Sequence, residues 1–107
     1  MIKIVLPVLL GRYSAMSLGP FIILKDKSLL TDYELINHET IHFFQQLELL
    51  FVIHWIMYAF FYLIGRVKGL NHNQAYLNNT FEKEAYANGA DLLYIFKRKP
   101  YGWIKYL

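Results

Sequence analysis

The apolar positions of this chain change pattern along its length. Residues 1–10, MIKIVLPVLL, are almost continuously apolar and predict an early strand or a short hydrophobic anchor. Lys3 ahead of the run hints at a signal peptide. The run is short, however, Pro7 interrupts it, and no small-x-small cleavage site follows, so a retained segment is expected. Residues 13–24 read as extended chain. Gly19-Pro20 is a turn signal, and the apolar, β-branched Phe21-Ile22-Ile23-Leu24 after it suits a strand. Lys25-Asp26-Lys27-Ser28 closes the run. The reading is a small hairpin or one edge strand within a region spanning 1–27.

From Asp32 the pattern becomes helical, and neither Gly nor Pro occurs until Gly65. Ser28 or Thr31 can cap the start, and Thr31-x-x-Glu34 has the spacing of a capping box. So long a single helix is unusual in a small domain. The stretch is therefore expected to divide into a helix over 31–47 and a second over 49–64, with a break near Gln46–Leu49. The second, LLFVIHWIMYAFFYLI, is apolar on nearly every face. It is about 24 Å long, short of the roughly 20 residues a membrane span needs. Residues 70–79 are Asn-rich and predict a loop and a helix start, with Asn79 or Thr80 capping a helix over 80–97. That helix carries Phe81, Ala85, Leu92 and Phe96 at helical spacing, and Gly89 weakens its middle. Residues 98–107 form a basic-aromatic tail. The whole is a single domain, 1–107, mainly α with a small N-terminal β-strand or hairpin, an α+β protein.

Composition narrows the function classes. The hydrophobic set makes up 56% of the chain and charged residues 18%, the reverse of what disorder requires. Cysteine is absent, so disulfides and thiolate metal sites are excluded; a metal must be held by His, Asp or Glu. The net charge of +3 is mild, and its cations gather at Lys97, Arg98, Lys99 and Lys105. No basic stripe follows a helix, so nucleic acid is not expected as a partner.

The sharpest motif is His38-Glu39-Thr40-Ile41-His42, an HExxH. Histidines four apart share one helical face and can reach one metal ion, with Glu39 beside them able to take a proton from a water held there. The flanking residues are apolar, which turns this face inward. Zinc needs a third protein ligand. His54 lies further along the same apolar stretch and reads as a core or interfacial histidine. His72, in the Asn-rich loop, is possible. Glu82 and Glu84 open a helix with an apolar face, and an inward carboxylate wants a partner.

HExxH followed by a later helix bearing Glu82-Lys83-Glu84-Ala85 resembles the gluzincin-type zinc metallopeptidases. The likeness is to minimal gluzincins and to the catalytic core of CAAX-prenyl and heat-shock membrane peptidases. It implies a minimal zincin-like core in which the HExxH helix packs on a Glu-bearing helix. It implies a Zn2+ cofactor held by His38, His42 and Glu82, with Glu84 as runner-up. It further implies Glu39 as the catalytic base in hydrolysis of a peptide or protein substrate. That substrate would lie along an edge strand, for which Pro20, Phe21, Ile22 and Ile23 are the candidates. Tyr86, His72 or Tyr76 would stabilise the oxyanion. Tyr86 stands where the family usually has an Asp that orients a ligand histidine, and Asn88 or Asp91 could substitute. The departure motivates a second reading, a non-catalytic peptidase-like subunit of a membrane complex. A third has the tail 98–107 lying over the site.

The ligand set constrains topology. A single crossing by 49–64 would put His38 and Glu82 on opposite sides of a bilayer. The apolar run and basic-aromatic tail instead suggest a membrane-associated protein at a bacterial-type inner membrane, contacting its surface or its proteins. The alternative is a soluble cytoplasmic protein.

Overall fold

The computed structural model describes residues 2–6 and 14–107. The C-terminal part of the first apolar run, with Pro7, and Tyr13 lie outside the described residues. Three short strands form one mixed sheet: β1 (Ile2–Val5), β2 (Ala15–Leu18) and β3 (Phe21–Leu24), in the order β1-β3-β2. β3 pairs parallel to β1 and antiparallel to β2. The β2–β3 hairpin turns at Gly19-Pro20, where Gly19 has φ +55°, a left-handed conformation that glycine adopts without steric cost. Ile22 and Leu24 are fully buried.

A 3-10 turn over Lys27–Thr31 leads into α1 (Tyr33–Glu48). The expected Thr31 cap is corrected here. Thr31 is drawn into the 3-10 turn, where its hydroxyl donates to the Ser28 carbonyl. Asp32 caps instead, its carboxylate accepting from the Leu35 N–H at 3.1 Å. The buried face of α1 consists of Asn37, His38, Glu39, Ile41, His42, Gln45 and Gln46. Six of these seven are polar, so this face must find partners rather than simply pack.

The expected break falls at Leu49–Phe51. Leu50 and Phe51 take φ +56° and +59°, strained for bulky residues, and the chain bends by 112° into α2 (Val52–Val67). Gln46 holds both ends of this elbow region. Its carbonyl accepts from the Phe51 N–H, and its side chain grips the β-hairpin through the Gly19 N–H and the Ser17 carbonyl. α2 buries only His54 and Gly65 deeply.

α3 (His72–Leu77) follows, opened by a capping box between Asn71 and Gln74. Then comes α4 (Thr80–Asn88), capped by Asn79 as expected. The helix predicted over 80–97 is in fact two: α4 stops at Gly89, and α5 covers only Tyr94–Lys97. Asn37 of α1 explains the stop. Its amide donates to the carbonyls of Asn88, Gly89 and Asp91, satisfying groups that helical bonds would otherwise use. A 3-10 turn over Gly102–Tyr106 ends the chain's regular structure. It packs Trp103 on Phe81, ring centroids 5.1 Å apart.

Candidate metal centre

Two elements bring the chemistry together. α1 presents His38 and His42 from successive turns, and α4 crosses it with Glu82 aimed at both. The Glu82 Oε1 lies 3.1 Å from His38 Nε2 and 2.9 Å from His42 Nε2, and the two imidazole nitrogens are 3.2 Å apart. All three residues are buried. Four-coordinate zinc with bonds of about 2.0–2.1 Å spaces its donor atoms about 3.3 Å apart. The observed triangle is slightly tighter, the compression expected where a shared proton joins the donors. The residues therefore fit a zinc ion in number, type and spacing. Of the two glutamates left open by sequence, Glu82 joins the histidines and Glu84 does not.

Without a metal, the triangle is an ion pair. Burial opposes protonation of His42, but the adjacent Glu82 carboxylate outweighs it and raises its pKa to about 9. Burial likewise opposes ionisation of Glu82, and His42 and His38 overcome it, holding the carboxyl well below its usual range. The Glu82 Oε2 accepts from the Tyr58 hydroxyl at 2.7 Å, which fixes the carboxylate plane.

The tautomer of His42 follows from its neighbours. Gln45 Nε2 lies 2.9 Å from Glu84 Oε1 and 3.0 Å from the Phe81 carbonyl, both of which can only accept. The amide nitrogen must therefore face them, and Gln45 Oε1 must face His42. At 2.8 Å, His42 Nδ1 is then the donor, which leaves the Nε2 lone pair of the neutral ring for a metal. Glu84 is itself held by Arg98 Nε at 2.6 Å and by the Tyr94 hydroxyl at 2.7 Å, and Arg98 also reaches Glu48 at 3.0 Å. The runner-up ligand is thus the anchor of the histidine's support. Asn88 and Asp91 do not orient either histidine. Asn88 bonds the Glu84 carbonyl and the Tyr106 hydroxyl, and Asp91 pairs with Lys97. Tyr86 instead packs edge-on against His38, centroids 4.4 Å apart.

Glu39 Oε2 lies 3.9 Å from His38 Nε2, beside the donor triangle rather than in it. Its carboxylate is within 4.8 Å of both histidine donors and counts with them as a metal-capable group among the described residues. Glu82 is the closer carboxylate and bridges both histidines, so it is the better third ligand. Burial raises the Glu39 pKa against the pull of His42 and His38, as suits a residue that must accept and return a proton.

Glu39 opens onto two clefts. One, of about 540 Å³, is lined by Ala15, His38, His72, Tyr76 and Tyr86 among others. The three oxyanion candidates therefore share a wall with His38. The Tyr76 and Tyr86 hydroxyls lie 3.0 Å apart, and His72 Nδ1 lies 2.9 Å from the Tyr62 hydroxyl. The second cleft, of about 310 Å³, runs from Met16 and Leu18 past His42 and Glu82 to His54 and Trp55.

Two expectations are corrected. Pro20 sits in the turn, and Phe21, Ile22 and Ile23 belong to β3, the central strand, whose two edges are already paired. The edge beside the clefts is β2. The Lys25–Ser14 bond puts Ser14 in a hydrogen-bonded pair, so by antiparallel alternation the backbone of Ala15 and Ser17 faces away from β3. His54, read as a core or interfacial histidine, is buried, and the elbow at Leu50–Phe51 places it on the wall of the second cleft. The tail does not cover the site, for no residue of 98–107 lines either cleft. It packs on the far side of α4, where Thr80 donates to the Trp103 carbonyl.

Sequence reasoning missed Gln45, Tyr58 and Arg98. Only Gln45 left a trace there, as an uncharged polar residue one turn beyond His42 on the inward face. Compared with protein-family models, curated proteins and solved structures, the chain matches none. Its likeness to zinc peptidases is carried by the motif residues alone.

Proposed function

We propose that the chain is a small zinc-dependent metallopeptidase. The observation that supports this is the convergence of His38, His42 and Glu82 within 3.2 Å of one another, with Glu39 beside them at the junction of two clefts flanked by a strand edge. His38, His42 and Glu82 would hold the ion. When bound, it supplies a Lewis acid that polarises a peptide carbonyl and acidifies water. Glu39 accepts the proton of the attacking water and delivers it to the leaving amine. Ala15 offers its outward backbone groups to an extended peptide, the Ser17 carbonyl beyond it being held by Gln46. Tyr76, Tyr86 or His72 faces the developing oxyanion. Tyr58 and the Gln45–Glu84–Arg98 chain hold the ligands in register.

Membrane association belongs to the same proposal. Among the described residues, no single helix is long and apolar enough to cross a membrane. α2 nonetheless exposes Val52, Ile53, Ile56, Phe60, Leu63 and Val67, and Arg66 and Lys68 stand at its end. An apolar helix face with cationic flanks suits insertion into one leaflet of an anionic surface. The same face supports the second reading, a non-catalytic subunit docked in a membrane complex.

The test is metal content and hydrolysis on the untagged protein. About one zinc per chain and peptide cleavage that is lost in Glu39→Gln with zinc retained are the expected results. Zinc without hydrolysis favours the non-catalytic subunit. No zinc after incubation with the metal refutes both the centre and the peptidase.

A further inference from the structure

The carboxylates of this chain are unevenly partnered. Arg98 holds Glu48 and Glu84, Lys97 holds Asp91, and the two histidines hold Glu82. Asp32, Glu34 and Glu39 all line the 540 Å³ cleft. Among the described residues, no lysine or arginine makes an ion pair with any of these three. In a protein of net charge +3, that wall reverses the sign locally. Glu39 points to a ligand on its own account. It is 6% exposed, its carboxylate makes no hydrogen bond among the described residues, and His38 Nε2 stands off at 3.9 Å. Buried charge of this kind is costly unless something meets it. Its oxygens are not among the fully enclosed unpartnered atoms, which are those of His54 and Trp103, so they open onto the cleft.

The three carboxylates follow α1 outward from the centre. Asp32 caps the helix and Glu34 lies in its first turn. Both are exposed, so a ligand can reach them. Asp32 and Glu39, seven residues apart, fall on one face two turns from each other. The positive end of the helix dipole amounts to about half a charge, less than the two carboxylates set upon it. A zinc ion's two charges are matched by Glu82 and Glu39, so the outer part of the cleft stays negative in the loaded protein. Strand β2 leads to this cleft at Ser14 and Ala15, and to the apolar cleft at Met16, Leu18 and Trp55. A peptide on that edge, with its scissile bond over Glu39, turns one flanking residue toward each. A lysine ammonium on its four-carbon stem can cover the roughly 5.4 Å of one helical turn from Glu39 toward Glu34 and Asp32. A chain amine sits directly on its Cα and falls short.

We propose that the 540 Å³ cleft is a subsite for a lysine or arginine side chain next to the scissile bond, held by Asp32 and Glu34. The proposal rests on the peptidase reading for its ligand, a peptide, but its test does not depend on turnover.

The experiment measures equilibrium binding of blocked tetrapeptide analogues to the zinc-loaded wild-type protein. Their central amide is replaced by a ketomethylene group, –CO–CH2–, which cannot be hydrolysed. One flanking residue or the other is Lys, Arg, norleucine or Glu. An exposed ion pair is worth at most about fivefold in binding, so two carboxylates should favour Lys and Arg over norleucine by about 5- to 25-fold, at one flanking position only, with Glu weakest. Asp32→Asn with Glu34→Gln should bring the ratio near one while Tm holds, because Asn caps a helix as well as Asp does. Glu34→Gln alone should remove part of the preference. Salt at 1 M, where screening acts over roughly 3 Å, should erase most of it. Equal binding of the Lys and norleucine analogues overturns the proposal. So does a preference that survives the double substitution or holds at both positions, or the absence of binding by every analogue. Tighter binding by an unblocked norleucine analogue than by the blocked Lys one also overturns it, since the cleft would then be reading a chain amine. A Lys preference with no hydrolysis of the corresponding amides by the wild-type protein refutes the peptidase and leaves the subsite standing.

Discussion

Replacing Arg98 with alanine tests the chain of contacts behind the candidate metal centre. The Arg98 side chain is 5% exposed and the Glu84 side chain is wholly buried, 2.6 Å away. Removing the guanidinium leaves a carboxylate with only Gln45 and Tyr94 to stabilise it, out of reach of water. Breaking a buried pair in this way costs about 3–5 kcal/mol, a large share of the roughly 5–15 kcal/mol that holds a domain of this size together. At roughly 4–8 °C per kcal/mol for domains near this size, Tm should fall by at least about 12 °C. The loss comes from the stranded charge, not from the pair's net value, so Glu84→Gln added to Arg98→Ala should recover most of it. Urea and thermal unfolding of the wild type, both single variants and the double variant measure this directly. A single variant costing under about 1 kcal/mol, or a double variant no better than Arg98→Ala, would refute the reasoning. The pH dependence has a fixed sign. The Glu84 pKa is held below 4.5 despite burial, by Arg98, Gln45 and Tyr94. Its contribution is therefore present above pH 4.5 and is lost as pH falls below it; Glu84→Gln should flatten that part of the profile.

Other predictions concern the centre and the surface. Gln45→Leu removes the acceptor that sets the His42 tautomer, and zinc affinity measured by competition with a chelating dye should fall about 10- to 100-fold. In the metal-free protein, the His42 pKa is raised from 6.5 to about 9. Its stabilisation is thus complete below pH 6.5 and fades as pH rises through 9. Denaturant titrations at pH 6 and pH 9 should show the chelated protein weaker at pH 9; greater stability at pH 9 contradicts the ion pair. Zinc uptake displaces the same proton, so affinity should rise with pH over that window, with proton release seen by an indicator dye. Flotation with anionic liposomes should be reduced by Ile56→Lys and Phe60→Lys together, and an unchanged bound fraction would remove α2 from the membrane reading.

Much of the centre was legible in the sequence because HExxH places its residues by local geometry alone. Four residues make one helical turn, and the inward direction followed from the apolar flanks. The Gly19-Pro20 turn and the Asn79 cap are equally local. What the sequence hid is long-range. The elbow at Leu49–Phe51 contains no glycine or proline, and its left-handed φ values are imposed by the contacts that α2 and the Gln46 clamp make elsewhere. Without the elbow, His54 and Tyr58 had no route back to the site. β3 looked like an edge because its partner β1 is separated from it by residues 6–20, in a parallel pairing that no turn motif announces. Glu84 looked like a possible ligand because nothing in the sequence tied Arg98, fourteen residues on, to it.

The order in which the parts of the centre leave the ribosome now matters. His38 and His42 precede Glu82 by 44 and 40 residues and Arg98 by still more. At synthesis rates of about 5–20 residues per second, the helix bearing them waits roughly 3–10 s for Arg98. Early in that interval Gln46 already has its partners in the β-hairpin, while Asn37, His38, His42 and Gln45 wait for residues 81–91. A chaperone or an early metal ion would find a two-histidine half-site there, and fidelity of metal loading would be decided during biosynthesis as well as in the finished protein.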